Sequence, residues 1–561
     1  MLILRAVAWS IAIVAGFLQA WATRFWTSAD ATNYLDLASA YLRHDWHNAI
    51  NAYWSPLFSW LLALGFLAFQ PSPFWETTLL HLTNFVGLLI GLLCFEFFFR
   101  ALLRLQNQLT ASGTALAELP ESAWWTLGYT VFLSTAIFVQ TTTATTPDIW
   151  VAAWTYLIVG LLLCIWQAGG GWRLFALLGF ILALAYLTKT FYFPISFIFI
   201  PVAWMAAGNV RKNAWQPAVA LLAFFAVAGP WIFALSENRH RLTFGDTGKL
   251  NFAMMIDDIP QPFLWQGEDG TGVPTHPVRK LLDRPRIFEF AAPIAATYPP
   301  GYDAPYWMDG VRPRFRLHGL FRVLRQSAGT FFEIYLLQAE LAVGAAALLF
   351  LVIGKHGWSR PFWRLYYLWL PPLIGCAAYS VVHVELRLVG PFVAPLWVAL
   401  FAGLLRAASD VPRRVLLALI LAMSAATGLR IAKSMTSDLA SALAPQVNTD
   451  WQIAQGLRAA GLQPGDTVSD FSLAGEAHWA RLAGLKIVAE LPLGDEYLFW
   501  LASNETKQRI FRILAATGAK MAIAKNPPPS ALNEGWLPLA QTGFFAHPLP
   551  SQGLSVQVPR P

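Results

Sequence analysis

The chain has 561 residues, of which 56% are hydrophobic and 13% are charged, and its mean hydropathy is +0.48. This composition argues against a soluble multidomain protein and indicates an α-helical polytopic protein of the lipid bilayer. The formal net charge of +7 does not predict a nucleic-acid partner, because such an excess collects in the cytoplasmic loops of polytopic proteins. The three cysteines lie inside apolar runs without a CxxC pair, so neither disulfides nor a structural zinc site is predicted.

About eleven apolar runs are long enough to cross a hydrocarbon core of roughly 30 Å, which needs about 20 helical residues. We expect spans near 6–23, 76–99, 124–145, 149–166, 172–188, 191–209, 214–235, 331–353, 362–383, 388–405 and 414–431. The first run is long for a signal peptide and lacks a clear small-residue cleavage site, so we interpret it as a retained anchor. The run at 56–69 is short, and we expect a juxtamembrane helix or a re-entrant piece.

The positions of Lys and Arg predict which loops lie on which side, because these residues collect in short cytoplasmic loops. With the N-terminus inside, the short external segments hold only Arg24, Arg43, Lys189 and Arg387. The cytoplasmic segments hold Arg5, Arg100, Arg104, Arg173, Arg211, Lys212, Lys355, Arg360, Arg364, Arg406, Arg413 and Arg414. This bias supports an odd number of spans and a run at 56–69 that does not cross.

Three external pieces follow from this threading. They are a loop at 24–75 with juxtamembrane helices, a long loop at 236–330 rich in Pro, Gly, Tyr and Trp, and the region 434–561. In the last, "DTVSDF", "LKIVAEL" and "KMAIAK" read as short strands between the helices "WQIAQGLRAAG", "EAHWARLA" and "TKQRIFRILAATGA". We therefore expect a membrane domain at 1–433 and a small extracytoplasmic α/β domain at 434–561.

Ionisable residues at membrane depth are costly and by default line a cavity or bind a ligand. On the external side, such residues occur in "WTSADATNYLDLA", "TTTATTPDIW", "LTKTFYFP" and "HVELRLVGP". These stretches contribute Asp30, Asp36, Asp148, Lys189, Glu385 and Arg387. Because four separate segments bring acids and cations to one membrane face, we predict an outward-facing active-site vestibule.

The same stretches resemble the GT-C glycosyltransferases, in particular bacterial relatives of protein O-mannosyltransferases and of the aminoarabinose transferase that modifies lipid A. The matching features are "SADATNYLDLA" in the first external loop, "NAYWSPLFSWLLAL" after it, "TPD" opening a later span, "YLTK" closing the next, and "ELRLVGPFVAPL". The resemblance covers about residues 1–431. The sequence departs from it where Ala31 follows Asp30 in place of a second acid, and where Leu388 replaces the usual Tyr.

The resemblance implies a GT-C-like enzyme of the bacterial inner membrane with its site on the outer face. It would transfer a sugar, with inversion, from a polyprenyl-phosphate donor to a lipid, glycan or protein acceptor. A carboxylate that takes the proton of an acceptor hydroxyl suits this reaction, and Asp30 is the candidate base. The alternative is that Asp30 only caps the helix that starts near Ala31. Asp36 would lie on a different helical face and is read as a neighbour.

Asp148 is the second catalytic candidate, either orienting the acceptor or joining Asp30 around a divalent cation, which prefers oxygen ligands. The alternative is an ordinary helix start, where an acid in the first turn is favoured. Lys189 and Arg387 are candidates for binding the carrier phosphate. Lys189 could instead snorkel to the interface, and Glu385, a further site candidate, could form a local pair with Arg387.

The long loop carries further candidates. Its cations Lys249, His276 and Arg279 would help to hold lipid phosphate, and the rings of Tyr302 and Trp307 would stack on a sugar. The alternative is a proline-braced lid whose aromatic residues pack at the membrane interface. In either case we expect the loop to close the site, because long ordered loops are often lids.

A transporter or lipid flippase is the alternative function, since buried charges among many spans also suit transport. That reading expects two related halves with broken helices around a midplane site. The sequence shows no such halves, and its polar residues fall at one membrane face, which favours the transferase.

Overall fold

The structure is a computed structural model that describes residues 1–111, 119–354, 363, 365–472 and 474–550. Outside these residues lie Lys355, Arg360 and Arg364, which were assigned to the cytoplasmic face, together with part of the predicted span 362–383 and residues 551–561. The described chain is mainly helical and contains one mixed sheet.

The helices up to the long loop are α1 (Leu2–Ala22), α2 (Ala29–Leu42), α3 (Trp46–Ala49), α4 (Pro56–Phe69), α5 (Glu76–Ala111), α6 (Glu121–Thr135), α7 (Asp148–Ala168), α8 (Trp172–Thr188), α9 (Tyr192–Ala206), α10 (Gln216–Asn238) and α11 (Thr247–Ile256). A π-helical turn, Ala136–Gln140, extends α6.

The later helices are α12 (Pro299–Tyr302), α13 (Ala304–Trp307), α14 (Leu317–Leu337), α15 (Ala339–Val352), α16 (Tyr366–Ser380), α17 (Leu386–Ala407), α18 (Arg413–Leu443), α19 (Thr449–Ala459), α20 (His478–Ala483), α21 (Glu496–Trp500) and α22 (Asn504–Ala516). The strands are β1 (Arg279–Asp283), β2 (Arg286–Glu289), β3 (Thr467–Phe471), β4 (Lys486–Glu490), β5 (Met521–Lys525), β6 (Leu537–Pro538) and β7 (Phe544–Pro548).

Seven helices of the described chain are long and apolar enough to cross a membrane, namely α1, α5, α6 with its π turn, α7, α10, α17 and α18. The number rises to eight if the bent pair α14 and α15 forms one span. The sequence predicts eleven spans because it also counts α8 and α9, which are shorter apolar helices, and the run at 362–383, whose described part forms α16. The run at 56–69 forms α4, also a short apolar helix.

The predicted single span at 331–353 is instead a pair of helices bent by 87°. The break lies at Gln338, whose buried side chain donates to Thr135 (2.9 Å) and accepts from Trp397 (2.8 Å). These two bonds hold the side chain between α6 and α17 at the point where the chain bends. Hydropathy does not register it, because the residues on both sides are apolar.

Helices α5 and α7 pack closely because small residues lie between them. A Cβ atom at Gly160 would lie 2.7 Å from the ring of Phe97, and one at Gly87 would lie 2.8 Å from the indole nitrogen of Trp150. Glycines that let helix backbones approach are typical of packing within membranes. The pair fixes the start of α7, where Asp148 lies.

The sheet has the order β1-β2-β4-β3-β5-β7-β6, with β3 parallel to both β4 and β5. Strands β3, β4 and β5 fall where the sequence predicts strands. Strands β1 and β2, however, come from the long loop at 236–330, so this loop and the C-terminal region share one sheet. Helix α18 also continues to Leu443, beyond the predicted start of the C-terminal region.

Arg481 on α20 anchors the C-terminal region to α2 and to the start of α5. Its guanidinium donates to Asp36 (2.6 Å), Glu76 (2.8 Å) and Ser39 (2.9 Å). Asp36 also accepts hydrogen bonds from the backbone and hydroxyl groups of Thr297 in the long loop. Asp36 is thus a structural residue beside the predicted site, and it ties three separate segments together.

Candidate active site

Five of the predicted site residues come together at helix ends. Asp30 lies in the first turn of α2, Asp148 begins α7, and Lys189 follows the last residue of α8. Glu385 precedes α17, and Arg387 is the second residue of that helix. Acids in the first turn of a helix are favoured by the helix dipole, which accounts locally for Asp30 and Asp148. A cation there is not favoured, so Arg387 depends on its carboxylate partners.

Arg387 is the centre of the cluster. Its Nε donates to Glu385 Oε2 (2.6 Å), its Nη2 lies 3.1 Å from Asp30 Oδ2, and its Nη1 lies 3.5 Å from Asp148 Oδ2. The local pair with Glu385 and the long-range pairs with both aspartates therefore coexist. Because guanidinium is planar and carries five N–H donors, it can serve three carboxylates at once.

Asp148 is the buried member of the cluster, with 1% of its side chain exposed. Its Oδ1 pairs with the ammonium group of Lys189, and its Oδ2 accepts a hydrogen bond from the Thr146 hydroxyl at 2.6 Å. A buried carboxylate with these partners holds both site cations in place. Thr146 was not predicted, although the run of small hydroxyl residues before "PDIW" indicates a source of such bonds.

His383 is a second residue that the sequence reasoning missed. Its Nε2 lies 2.8 Å from Glu385 Oε1. This hydrogen bond, together with Arg387, lowers the pKa of Glu385 to about 2 although the side chain is partly buried. The carboxylate is therefore ionised throughout the physiological range and fixes one edge of Arg387. The histidine occurs in the "HVELRLVGP" stretch, two residues before Glu385. This proximity to a predicted site residue is the signal from which His383 could have been predicted.

Four members of the cluster are reachable from outside the protein. Glu385 is 40% exposed, Asp30 29%, Arg387 28% and Lys189 22%. Tyr53 lies close enough to Asp30 to feel its charge, which together with burial raises the pKa of the Tyr53 phenol. The exposed part of the site thus presents two carboxylates and two cations to a ligand.

Of the long-loop cations, Lys249 lies on the helix that contacts Tyr53. It is exposed on α11, whose Asn251 accepts a hydrogen bond from the Tyr53 hydroxyl at 3.2 Å. His276 stacks on Tyr306, with ring centroids 4.1 Å apart. Arg279 pairs with Glu289 across the β1 and β2 strands at 3.0 Å. In the described chain these last two cations therefore have their contacts within the loop, away from Arg387.

Tyr302 and Trp307 are buried. The Tyr302 hydroxyl donates to the carbonyl of Asn48 (2.6 Å), and the Trp307 indole donates to the carbonyl of Pro299 (3.2 Å). Both rings belong to an apolar core shared with the C-terminal sheet. The predicted stacking on a sugar therefore has no exposed ring face in this structure, and the rings instead brace the loop.

A divalent cation between Asp30 and Asp148 does not fit the observed donors. Among the described residues, no three His, Cys, Asp or Glu side chains form a group that could hold a metal ion. Both aspartates turn an oxygen toward Arg387, which lies between them. A guanidinium in that position repels a second cation, so no step of the mechanism proposed below involves one.

The fold and the site define a polytopic membrane protein with a charged, partly exposed cluster at its helix ends. No family model and no curated protein matches the chain. Among solved structures, it is similar to ArnT from Cupriavidus metallidurans in the apo state, at 15% identity and a TM-score of 0.42 over 97% of this chain and 98% of that chain. For the same protein bound to undecaprenyl phosphate, the identity is 14% and the TM-score 0.40 over 97% of each chain.

It is also similar to the oligosaccharyltransferase of Archaeoglobus fulgidus in complex with zinc and sulfate. There the identity is 15% and the TM-score 0.49, over 93% of this chain and 68% of that chain. ArnT and the oligosaccharyltransferase are both GT-C glycosyltransferases, the family that the sequence resembles. Because the identities are low and the TM-scores are below 0.5, the functional proposal rests on the site geometry.

Proposed function

We propose that this protein is a membrane glycosyltransferase that moves a sugar from a polyprenyl-phosphate donor to an acceptor at the outer face of a bacterial inner membrane. The observation that carries the proposal is the convergence of Arg387 and Lys189 with Asp30 at one set of helix ends, all three partly exposed. Two cations beside a reachable carboxylate suit a reaction in which a phosphate leaves and a hydroxyl attacks. Glu385 is also exposed, but its pKa of about 2 makes it a poorer proton acceptor.

Arg387 keeps binding capacity for the carrier phosphate. Of its five N–H donors, its contacts with Glu385, Asp30 and Asp148 occupy one on each nitrogen, so about two remain for a ligand. Lys189 supplies a second positive charge on the far side of Asp148. Cations held in a poorly hydrated site stabilise the charge that develops on a leaving phosphate.

In the proposed step, the acceptor hydroxyl oxygen bonds to the anomeric carbon while its proton passes to the carboxylate of Asp30. The bond between the anomeric carbon and the phosphate oxygen breaks, and its electron pair stays on the carrier phosphate beside Arg387 and Lys189. Attack opposite the leaving group inverts the anomeric centre. A general base of this kind contributes typically 10² to 10⁴-fold.

We assign Asp148 a positioning role. Its side chain is enclosed by Lys189, Arg387 and Thr146, and it has almost no surface that an acceptor could touch. Its negative charge pairs with both cations and so keeps them next to each other. The transporter alternative gains no specific support, because the cluster lies at helix ends and not at the midplane that transport sites use.

The test is transfer by purified full-length protein that is given undecaprenyl-phosphate hexoses and pentoses together with a membrane lipid extract. Release of undecaprenyl phosphate and labelling of an acceptor are measured. Asp30→Asn should lower the rate at least 10²-fold. Its thermal unfolding should stay close to wild type, because Asp30 is partly exposed and has one ion pair.

The matched control is Asp269→Asn, which changes an exposed acid in the long loop and should leave transfer unchanged. Transfer by the Asp30→Asn variant at the wild-type rate would refute the assignment of Asp30 as the general base. A failure of the wild-type protein to release carrier phosphate from every donor in the panel would remove the glycosyltransferase proposal itself.

A further inference from the structure

A second charged cluster lies toward the far end of α7, the helix that begins at Asp148. Arg5 on α1 and Arg100 and Arg104 on α5 border a cavity of about 190 Å³ whose apolar wall includes Phe97 and Cys164. Asn84 of α5 donates to the carbonyl of Thr146, beside Asp148, and Arg104 lies 20 residues farther along the same helix. At 1.5 Å per residue this is about 30 Å, the thickness of the hydrocarbon core.

Buried Glu96 organises this cavity. It accepts hydrogen bonds from Arg5 (2.9 Å), Arg100 (3.1 Å), Trp9 (2.9 Å) and the Tyr129 hydroxyl (2.8 Å). The carboxylate therefore fixes two guanidinium groups at the cavity wall. Three arginines against one glutamate leave the cavity with a net positive charge.

We propose that this cavity binds the phosphate group of an anionic phospholipid in the leaflet opposite the active site. Guanidinium groups match phosphate oxygens in geometry and charge. The apolar wall formed by Phe97 and Cys164 suits the first part of an acyl chain. Basic pockets between membrane helices at the cytoplasmic side bind anionic headgroups.

The general excess of Lys and Arg on a cytoplasmic face does not account for this arrangement. That bias places cations in loops, whereas here three arginines from two helices border one cavity with an apolar wall. Their net positive charge also repels the quaternary amine of a zwitterionic lipid. The cavity should therefore select phosphatidylglycerol over phosphatidylcholine.

The experiment counts lipids bound to the purified full-length protein by native mass spectrometry during titration with phosphatidylglycerol or phosphatidylcholine. The double variant Arg100→Gln with Arg104→Gln keeps Arg5, Trp9 and Tyr129 on Glu96, so the fold is retained. Its affinity for phosphatidylglycerol should fall about 30-fold, since each arginine near the surface contributes about fivefold.

The matched control is Arg173→Gln with Arg413→Gln, which removes two exposed arginines from the same predicted face but outside the cavity. This control should bind phosphatidylglycerol like the wild type. If the double cavity variant does not fold, Arg104→Gln alone, which leaves the Glu96 contacts intact, should weaken binding about fivefold.

Equal losses in the cavity variant and the control, or equal binding of both lipids by the wild type, would overturn the proposal. Displacement of phosphatidylglycerol by millimolar inorganic phosphate would also overturn it, because the cavity would then be a site for a soluble anion. The readout is binding, so it is independent of transferase activity.

Discussion

The substitution Arg387→Lys tests whether the candidate site needs the planar geometry of the guanidinium group or only its positive charge. Arg387 makes three carboxylate contacts through three different nitrogens, at 2.6, 3.1 and 3.5 Å. A lysine ammonium keeps the charge but has a single nitrogen, so it cannot hold all three carboxylates and a phosphate together. We expect transfer to fall about 10² to 10³-fold, the typical loss on removing one preorganised donor from a transition state.

Stability should respond much less to this substitution. In the variant, Asp148 keeps Lys189 and Thr146, and Glu385 keeps His383. Asp30 is partly exposed and can be hydrated. The expected loss in the free energy of unfolding is therefore only about 1 kcal/mol, as for exposed ion pairs.

The assays for Arg387→Lys are initial rates of undecaprenyl phosphate release and thermal unfolding in the same detergent. Binding of undecaprenyl phosphate alone should weaken together with the rate. Wild-type transfer by this variant would show that a point charge suffices and would refute the reasoning from planar geometry. A loss of activity that follows the loss of folded protein would refute it as well.

Two further predictions concern the C-terminal region. Arg481→Gln leaves the carboxylates of Asp36 and Glu76, whose side chains are 10% and 15% exposed, without their cation. This loss should lower the free energy of unfolding by about 3 kcal/mol and speed proteolysis after Leu443. The control Lys520→Gln, at an exposed ion pair, should do neither. Burial raises the pKa of Asp470 to about 7, so its protonated form stabilises the fold fully below about pH 4, and this stability is lost as the pH rises through 7. Asp470→Asn should flatten that slope in unfolding measured from pH 5 to pH 8, and an unchanged slope would contradict the assignment.

The charged members of the site could be predicted from the sequence because ionisable residues near the ends of apolar runs are rare. Next to such ends lie Asp30, Asp148, Lys189, Glu385 and Arg387. The distribution of Lys and Arg among the loops was enough to predict that these residues share one membrane face. Their burial could not be predicted, because it depends on how the ends pack. For this reason the sequence gives no means of telling the enclosed Asp148 from the reachable Asp30.

The pairing of the long loop with the C-terminal region was missed for a physical reason. Strands β1 and β2 are short and carry several charges, and β2 pairs with β4, which lies about 200 positions later in the chain. Pairing at such a distance leaves no local signal. The bend at Gln338 was missed because hydropathy averages one polar side chain into an apolar run.

The two charged clusters also bear on orientation. The predicted sides first depended on how many runs cross and on whether 56–69 counts. Helices α5 and α7, however, each reach from the site to the cavity: α7 begins at Asp148 and carries Cys164 on the cavity wall. The site therefore lies beside one end of this pair, and the arginine cavity lies beside the other end. Because about 20 helical residues cross the hydrocarbon core, the two clusters lie on opposite faces of the membrane whatever the number of spans.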